Sequence, residues 1–191
     1  MTVTQAQVRP DDAAFQRQLE RDAVWSRMIS PGARIPDLPL IEADLGPIFL
    51  RKLLDTGPLV LVFVRHAGSA ECETALAAYD EELAGTDAHV VAVSPQRPDL
   101  LAEMKHRLGL RLLVGADPRH ALIDRFGLGF SAAEAKGVLG TGRATLPHPA
   151  VVVADRAGLV RFAEVSAGPA PATPASAILT AIAGTEIRPR R

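Results

Sequence analysis

The sequence predicts an α/β fold with a central mixed sheet and helices on both faces. Three observations predict it. Continuous apolar, β-branched runs recur at LVLVFV (59–64), HVVAVS (89–94) and LLVGAD (112–117), as expected of strands buried on both faces. Helix-forming stretches separate these runs, and that alternation requires parallel connections. AVVVAD (150–155) and LVRFAEV (159–165) flank Arg156-Ala157-Gly158, which reads as a hairpin adding an antiparallel edge.

Residues 12–29 place Phe15, Leu19, Val24 and Met28 at roughly helical spacing, so an amphipathic helix is expected. Asp11 or Asp12 is its candidate cap and Pro31-Gly32 its stop. Residues 33–47 are punctuated by proline and read as extended; 48–54 read as a short helix broken at Gly57-Pro58. A helix over 73–84 follows the first buried strand and ends at Gly85. Pro98-Asp99 opens another through His106, with Leu100, Leu101 and Met104 facing inward. A short helix is expected over 118–126, an irregular Gly/Ala-rich stretch over 129–147, a Pro/Ala linker over 169–174 and a closing helix over 175–183. This order is the plan of a thioredoxin-like fold. The expected division is an N-terminal helical extension (1–30), one thioredoxin-like domain (31–186) and a basic tail (187–191).

Composition narrows the function. The chain has 191 residues, 48% of them hydrophobic and 23% charged, and a formal net charge of −1. That balance fits a globular core and argues against a nucleic-acid or anionic-membrane surface. No apolar run approaches the ~20 residues of a membrane span. The first residues lack the basic-then-apolar pattern of a secretory leader. A cytoplasmic protein is expected. Cys72 is the single cysteine, which excludes an internal disulfide and any zinc site needing two thiolates.

Chemistry in open α/β sheets sits beyond the carboxyl ends of the strands. There the first buried strand carries Arg65-His66-Ala67-Gly68-Ser69-Ala70-Glu71-Cys72. Cys72 falls near a helix N-terminus, whose free N–H groups favour a thiolate. Ser69 can offer its hydroxyl to the sulfur, and Arg65 and His66 add positive charge. Glu71 and Glu73 act against the thiolate. From position alone, Cys72 is either a reactive thiol or a small buried hydrophobe.

Several pieces carry a resemblance: GARIPD from Gly32, FVRHAGSAEC from Phe63, VAVS from Val91, DPRHALIDRFGL from Asp117 and PAVVVADRAG from Pro149. In order and spacing the chain from about 31 to 184 resembles the AhpC/TSA, peroxiredoxin-like branch of the thioredoxin superfamily. In peroxiredoxins a Pro-x-x-x-Thr/Ser-x-x-Cys loop holds the peroxidatic cysteine, so the resemblance makes Cys72 the candidate nucleophile and Ser69 the group that orients sulfur and peroxide. Arg65 stands where that family has proline. His120, with Arg119 beside it, stands where it has an activating arginine. The stretch from Phe63 to Cys72 also resembles a second pattern, Phe-x-Arg-His before Gly-Cys-x-x-Cys, in which Ser69 replaces the first cysteine and Cys72 is a leftover. The resemblance further implies a cis His148-Pro149 bond facing the cysteine loop, with His148 near Cys72.

Two functions follow. One is a one-cysteine thiol peroxidase acting on hydrogen peroxide or organic hydroperoxides, with Cys72, Ser69, Arg65, His66, Arg119, His120, His148 and Pro149 as site residues. Its reductant is an external thiol, either a thioredoxin-like protein or a low-molecular-weight thiol, or else Cys72 of another subunit. The other is a degenerate thioredoxin-fold module for binding, regulation or redox sensing. A homodimer is expected by resemblance, and 12–29 is either its contact or a helix packed on its own domain. No cofactor or metal is expected, since no two histidines stand at i+2 or i+4 spacing. Asp80-Glu81-Glu82 reads as a solvated face, and GVLGTGR from Gly137 as a loop over the cysteine.

Overall fold

The computed structural model describes residues 10–133 and 135–185. Seven strands form one sheet, in the order β2 (Gly46–Phe49), β1 (Pro39–Glu42), β5 (Leu113–Ala116), β4 (His89–Ser94), β3 (Leu59–Phe63), β8 (Ala150–Ala154), β9 (Val160–Val165). The three apolar runs become β3 (Leu59–Phe63), β4 (His89–Ser94) and β5 (Leu113–Ala116), and they are parallel to one another. The predicted hairpin is β8 (Ala150–Ala154) and β9 (Val160–Val165), with β8 antiparallel to β3. All five residues of β3 are buried, because it lies centrally with helices on both faces. Leu59, Leu61 and Phe63 enter one core and Val60, Val62 and Val64 the other. Each such side chain contributes about 1.5–3 kcal/mol over leaving it in water.

Helices α4 (Ala70–Glu82), α5 (Pro98–Leu108) and α8 (Ala175–Thr185) supply the second core. The first core is closed by α1 (Pro10–Arg21), α2 (Val24–Arg27), α3 (Leu50–Leu54) and α6 (Ala121–Arg125). The start and stop of α5 follow from sequence: Pro98 at its first turn, Gly109 in the left-handed region (φ 63°), and Lys105, His106 and Arg107 in its last turn. Among the described residues no helix is long and apolar enough to cross a membrane.

Five local expectations change. The first helix is broken: Ala23 adopts φ 48°, ending α1 and starting α2. The helix begins at Pro10, so Asp11 and Asp12 lie within its first turn and not ahead of it. Residues 39–49 form an antiparallel hairpin, β1 (Pro39–Glu42) with β2 (Gly46–Phe49), and the following helix starts only at Leu50. Glu42 holds the turn by accepting from the N–H groups of Asp44 and Leu45 at 2.7 and 2.9 Å. Residues 129–147 are ordered as β6 (Gly129–Ser131), α7 (Ala135–Leu139) and β7 (Thr145–Pro147), with β6 and β7 paired in a second small sheet. Asp80 is no idle solvated acid. Its Oδ1 accepts from the N–H groups of Arg111 and Leu112 at 2.8 and 2.7 Å, fixing the entry to β5. The proposed basic tail, 187–191, lies outside the described residues.

Candidate active site at the carboxyl rim of the sheet

The helix after β3 starts three residues earlier than its periodicity indicates. Ser69 is its N-cap, and its Oγ accepts from the Cys72 N–H at 3.4 Å. Cys72 is therefore the third residue of α4. Its side chain turns into the second core with Leu76 and Tyr79, and the residue is 1% exposed. The thiol donates to the backbone carbonyl of Pro169 at 3.5 Å. A carbonyl oxygen only accepts, so this contact exists for the protonated thiol alone.

The hydroxyl expected on the sulfur is used elsewhere. Ser69 Oγ donates to Glu71 Oε2 at 2.8 Å. The Glu71 backbone N–H and the Ser69 hydroxyl hold the Glu71 carboxyl below its ordinary range, with His66 adding a weaker pull. His66 Nδ1 lies 3.1 Å from the Ala67 carbonyl oxygen. Glu73 receives both terminal nitrogens of Arg107, at 2.7 and 2.9 Å, and the Gly68 N–H at 2.7 Å. The Arg107 pairing keeps it ionised to low pH. The two acids beside Cys72 thus brace its loop. Gln96 braces it from the bend after β4, with Oε1 accepting from the Ala67 N–H and Nε2 donating to the Val138 carbonyl at 3.0 Å.

A second cluster gathers around Phe130, which belongs to a third, smaller core with Ala132, Ala135, Leu139 and Leu146. The Arg65 guanidinium lies between the rings of Phe15 and Phe130, 4.6 and 5.1 Å from their centroids. The His148 ring packs on Phe130 at 4.4 Å, and its Nε2 meets Asp22 Oδ2 at 2.8 Å. Burial pushes the imidazole below its ordinary value against the pull of Asp22, and Arg65 and Arg27 add to the push. Asp22 and Phe130 engage His148 in place of the cysteine. Pro149 is buried, and its carbonyl accepts from Ser166 N–H at 2.8 Å. The expected cis bond is absent: every peptide bond among the described residues is trans.

The position matching the family's arginine also departs. His120 takes φ 60°, with its N–H on the Asp117 carbonyl at 2.9 Å. The ring is buried, and its Nε2 has no protein partner among the described residues. Burial and Arg143 push it toward the neutral form, so it supplies no cation. Arg119 lies in the exposed turn before it. Asp117 accepts from the N–H groups of Leu122 and Ile123, both at 2.9 Å; burial still pushes its carboxyl up to about 6.

The structure thus sorts seven of the eight residues into three places. Cys72, Ser69 and His66 share the start of α4, Arg65 and His148 meet around Phe130, and His120 and Arg119 stand at the α6 turn. Pro149 joins the rim through Ser166. Sequence reasoning missed Pro169, Tyr79, Asp22 and Phe130. All four act through contacts with distant segments, and no local pattern marks them.

The comparisons with known proteins agree on the scaffold. Residues 31–163 match the AhpC/TSA family. Among solved structures, the chain is similar to peroxidoxin BcpB from Mycobacterium tuberculosis (19% identity, TM-score 0.67, 84% of this chain and 99% of that one). It is also similar to a peroxiredoxin-like protein from Aquifex aeolicus (19% identity, TM-score 0.68, 83% and 88%). A thiol peroxidase from Chromobacterium violaceum matches at 18% identity with TM-score 0.66, over 84% and 90%. No curated protein matches the sequence significantly. With a family match over most of its length and a mixed seven-stranded sheet that aligns with these structures, the chain belongs to the AhpC/TSA family and has its thioredoxin-like fold.

Proposed function

We propose that this chain is a slow, one-thiol member of its family, acting as a redox-sensing or binding module and not as a peroxidase of high turnover. The observation that carries this reading is the Cys72 thiol, buried and donating to the Pro169 carbonyl at 3.5 Å. Attack on a peroxide needs a thiolate, a hydroxyl aimed at sulfur and peroxide, and a cation for the developing charge. Here Ser69 donates to Glu71, Arg65 lies between two aromatic rings, and His120 is buried and driven toward neutrality. When the thiol does react, the balanced step is Cys72–SH + ROOH → Cys72–SOH + ROH. An external thiol then restores it: two equivalents reduce the sulfenic acid to the thiol, releasing water and a disulfide.

A second reading, a one-cysteine peroxidase, is favoured by one feature. Cys72 sits in the first turn of α4 with Ser69 as N-cap, the spacing that the family's peroxidatic loop uses. Timed oxidation by stoichiometric hydrogen peroxide, read by quench and intact mass against free cysteine, separates the two. A rate no faster than free cysteine is expected. A rate orders of magnitude above it would establish the peroxidase, and its loss in Ser69→Ala would then give Ser69 the orienting role. On the first reading Ser69→Ala weakens only the cap of α4.

A further inference from the structure

We infer that residues 166–174 form a lid over the Cys72 thiol and that Tyr79 is the positioning residue that latches it shut. The inference rests on the reading of Cys72 as a carbonyl-held thiol and adds how access to it is controlled. The lid leaves β9 at Ser166 and enters α8 at Ala175. Two side chains of α4, seven residues apart and so on one face, grip it. Cys72 Sγ donates to Pro169 O at 3.5 Å and Tyr79 Oη donates to Thr173 O at 2.7 Å. The lid is anchored at its start, where Ser166 N–H donates to Pro149 O at 2.8 Å, and Ala167 and Ala170 pack on the two cores, but beyond Ser166 its backbone has few donors to hold it. Pro169, Pro171 and Pro174 lack N–H groups, and the chain closes on itself through Ala172 N–H donating to Ser166 Oγ at 2.9 Å.

Two further observations place the weak point there. An open surface groove of about 340 Å³ runs along the seam between α4 and the lid, bounded by Ala75, Ala78 and Glu82 on one side and Pro171 and Thr173 on the other, so water reaches that seam. The Thr173 hydroxyl is buried with no protein partner among the described residues. Opening hydrates that hydroxyl, which offsets part of what opening loses. Three prolines stiffen the segment, so it moves as a unit about Ser166 and Gly168. Tyr79 makes the shorter, stronger bond of the two and therefore sets how often the sulfur is uncovered.

The test is the labelling rate of Cys72 by a chromogenic aromatic disulfide over a series of low urea concentrations, with global stability measured alongside. Local opening predicts slow labelling of the parent protein that barely responds to urea. Tyr79→Phe should label faster, by roughly tenfold for the loss of one buried hydrogen bond. Gly168→Ala should label about two- to fivefold more slowly by stiffening the lid. The space is open, since an added Cβ meets nothing nearer than Ala170 O at 3.9 Å. A reciprocal signal comes from the sole tyrosine, whose phenol burial pushes up to about 12. Capping Cys72 should bring its ultraviolet titration down toward the ordinary value near 10. Labelling that follows urea with the slope of global unfolding overturns the lid, as does Tyr79→Phe leaving the rate unchanged. Should Tyr79→Phe fail to fold, Gly168→Ala and the tyrosine titration decide. Fast oxidation by peroxide would overturn the functional reading and leave this labelling pattern intact, so the two failures are distinct.

Discussion

Asp22 and His148 are 126 residues apart and meet at 2.8 Å, tying the junction of α1 and α2 to the rim between β7 and β8. His148 is almost fully buried and Asp22 is partly open. Burial, with Arg65 and Arg27, holds the folded imidazole below its unfolded value, while Asp22 limits the drop. The unfolded state therefore binds the proton first as pH falls. Stability is complete above about pH 6.5 and declines below it. Asp22→Asn should steepen that decline, costing about 0.5–1 kcal/mol more at pH 5 than at pH 8. Urea unfolding of both proteins at the two pH values measures it. Parallel losses would show that the pair does not set the histidine's protonation.

Asp117 works in the opposite sense. Burial raises its folded carboxyl to about 6, so ionisation costs stability at neutral pH and the cost is relieved between about 6 and the unfolded value near 4. Asp117→Asn keeps an acceptor for the Leu122 and Ile123 N–H groups. It should be as stable as the parent at pH 7.5, or more stable by about 1–2 kcal/mol, and should lose the parent's relative gain between pH 6 and 4. A loss above about 2 kcal/mol at pH 7.5 would mean that the charge strengthens those bonds more than burial penalises it.

The β1–β2 hairpin depends on a buried pair. The Glu42 side chain is 0% exposed, and Lys105 Nζ donates to its Oε1 at 2.7 Å and contacts Asp44 Oδ2 at 2.7 Å. Burial works against the Glu42 carboxylate; Lys105 and three backbone N–H groups outweigh it and keep it ionised. Lys105→Met leaves that charge without its cation and should cost about 3 kcal/mol. Chemical denaturation at pH 7 reads the loss. A cost below about 1 kcal/mol would assign the hold on Glu42 to the backbone donors alone.

Two glycines differ in a way that heating can detect. Gly127 has φ 69°, and a Cβ there would strike the Arg27 carbonyl. Gly127→Ala should cost about 3 kcal/mol or more by forcing α2 off the first core. Gly137 lies in α7 with nothing within 4 Å of an added Cβ. Gly137→Ala should be neutral or stabilise by up to about 1 kcal/mol. A similar fall in melting temperature for both would refute the close approach of α2 to Gly127.

Sequence alone determined the sheet's centre and the place of the cysteine. The runs over 59–64, 90–93 and 150–154 are apolar at every step, and only strands covered on both faces bury such runs. Alternation with helices fixed the parallel order of the runs over 59–64, 89–94 and 112–117, and the loop after the first run placed Cys72 near a helix N-terminus, although the helix starts at Ala70 and not at 73. These are local patterns, readable within one element. Tertiary structure decided where the side chains are spent. Ser69 turns to a glutamate two residues away, Cys72 to a carbonyl 97 residues away, and Arg65 to the rings of Phe15 and Phe130. The β1–β2 hairpin escapes a local reading because Lys105, 63 residues on, helps make burial of Glu42 tolerable. A hydrogen bond or an ion pair between distant segments has no period, so it becomes visible only when packing brings its two ends together.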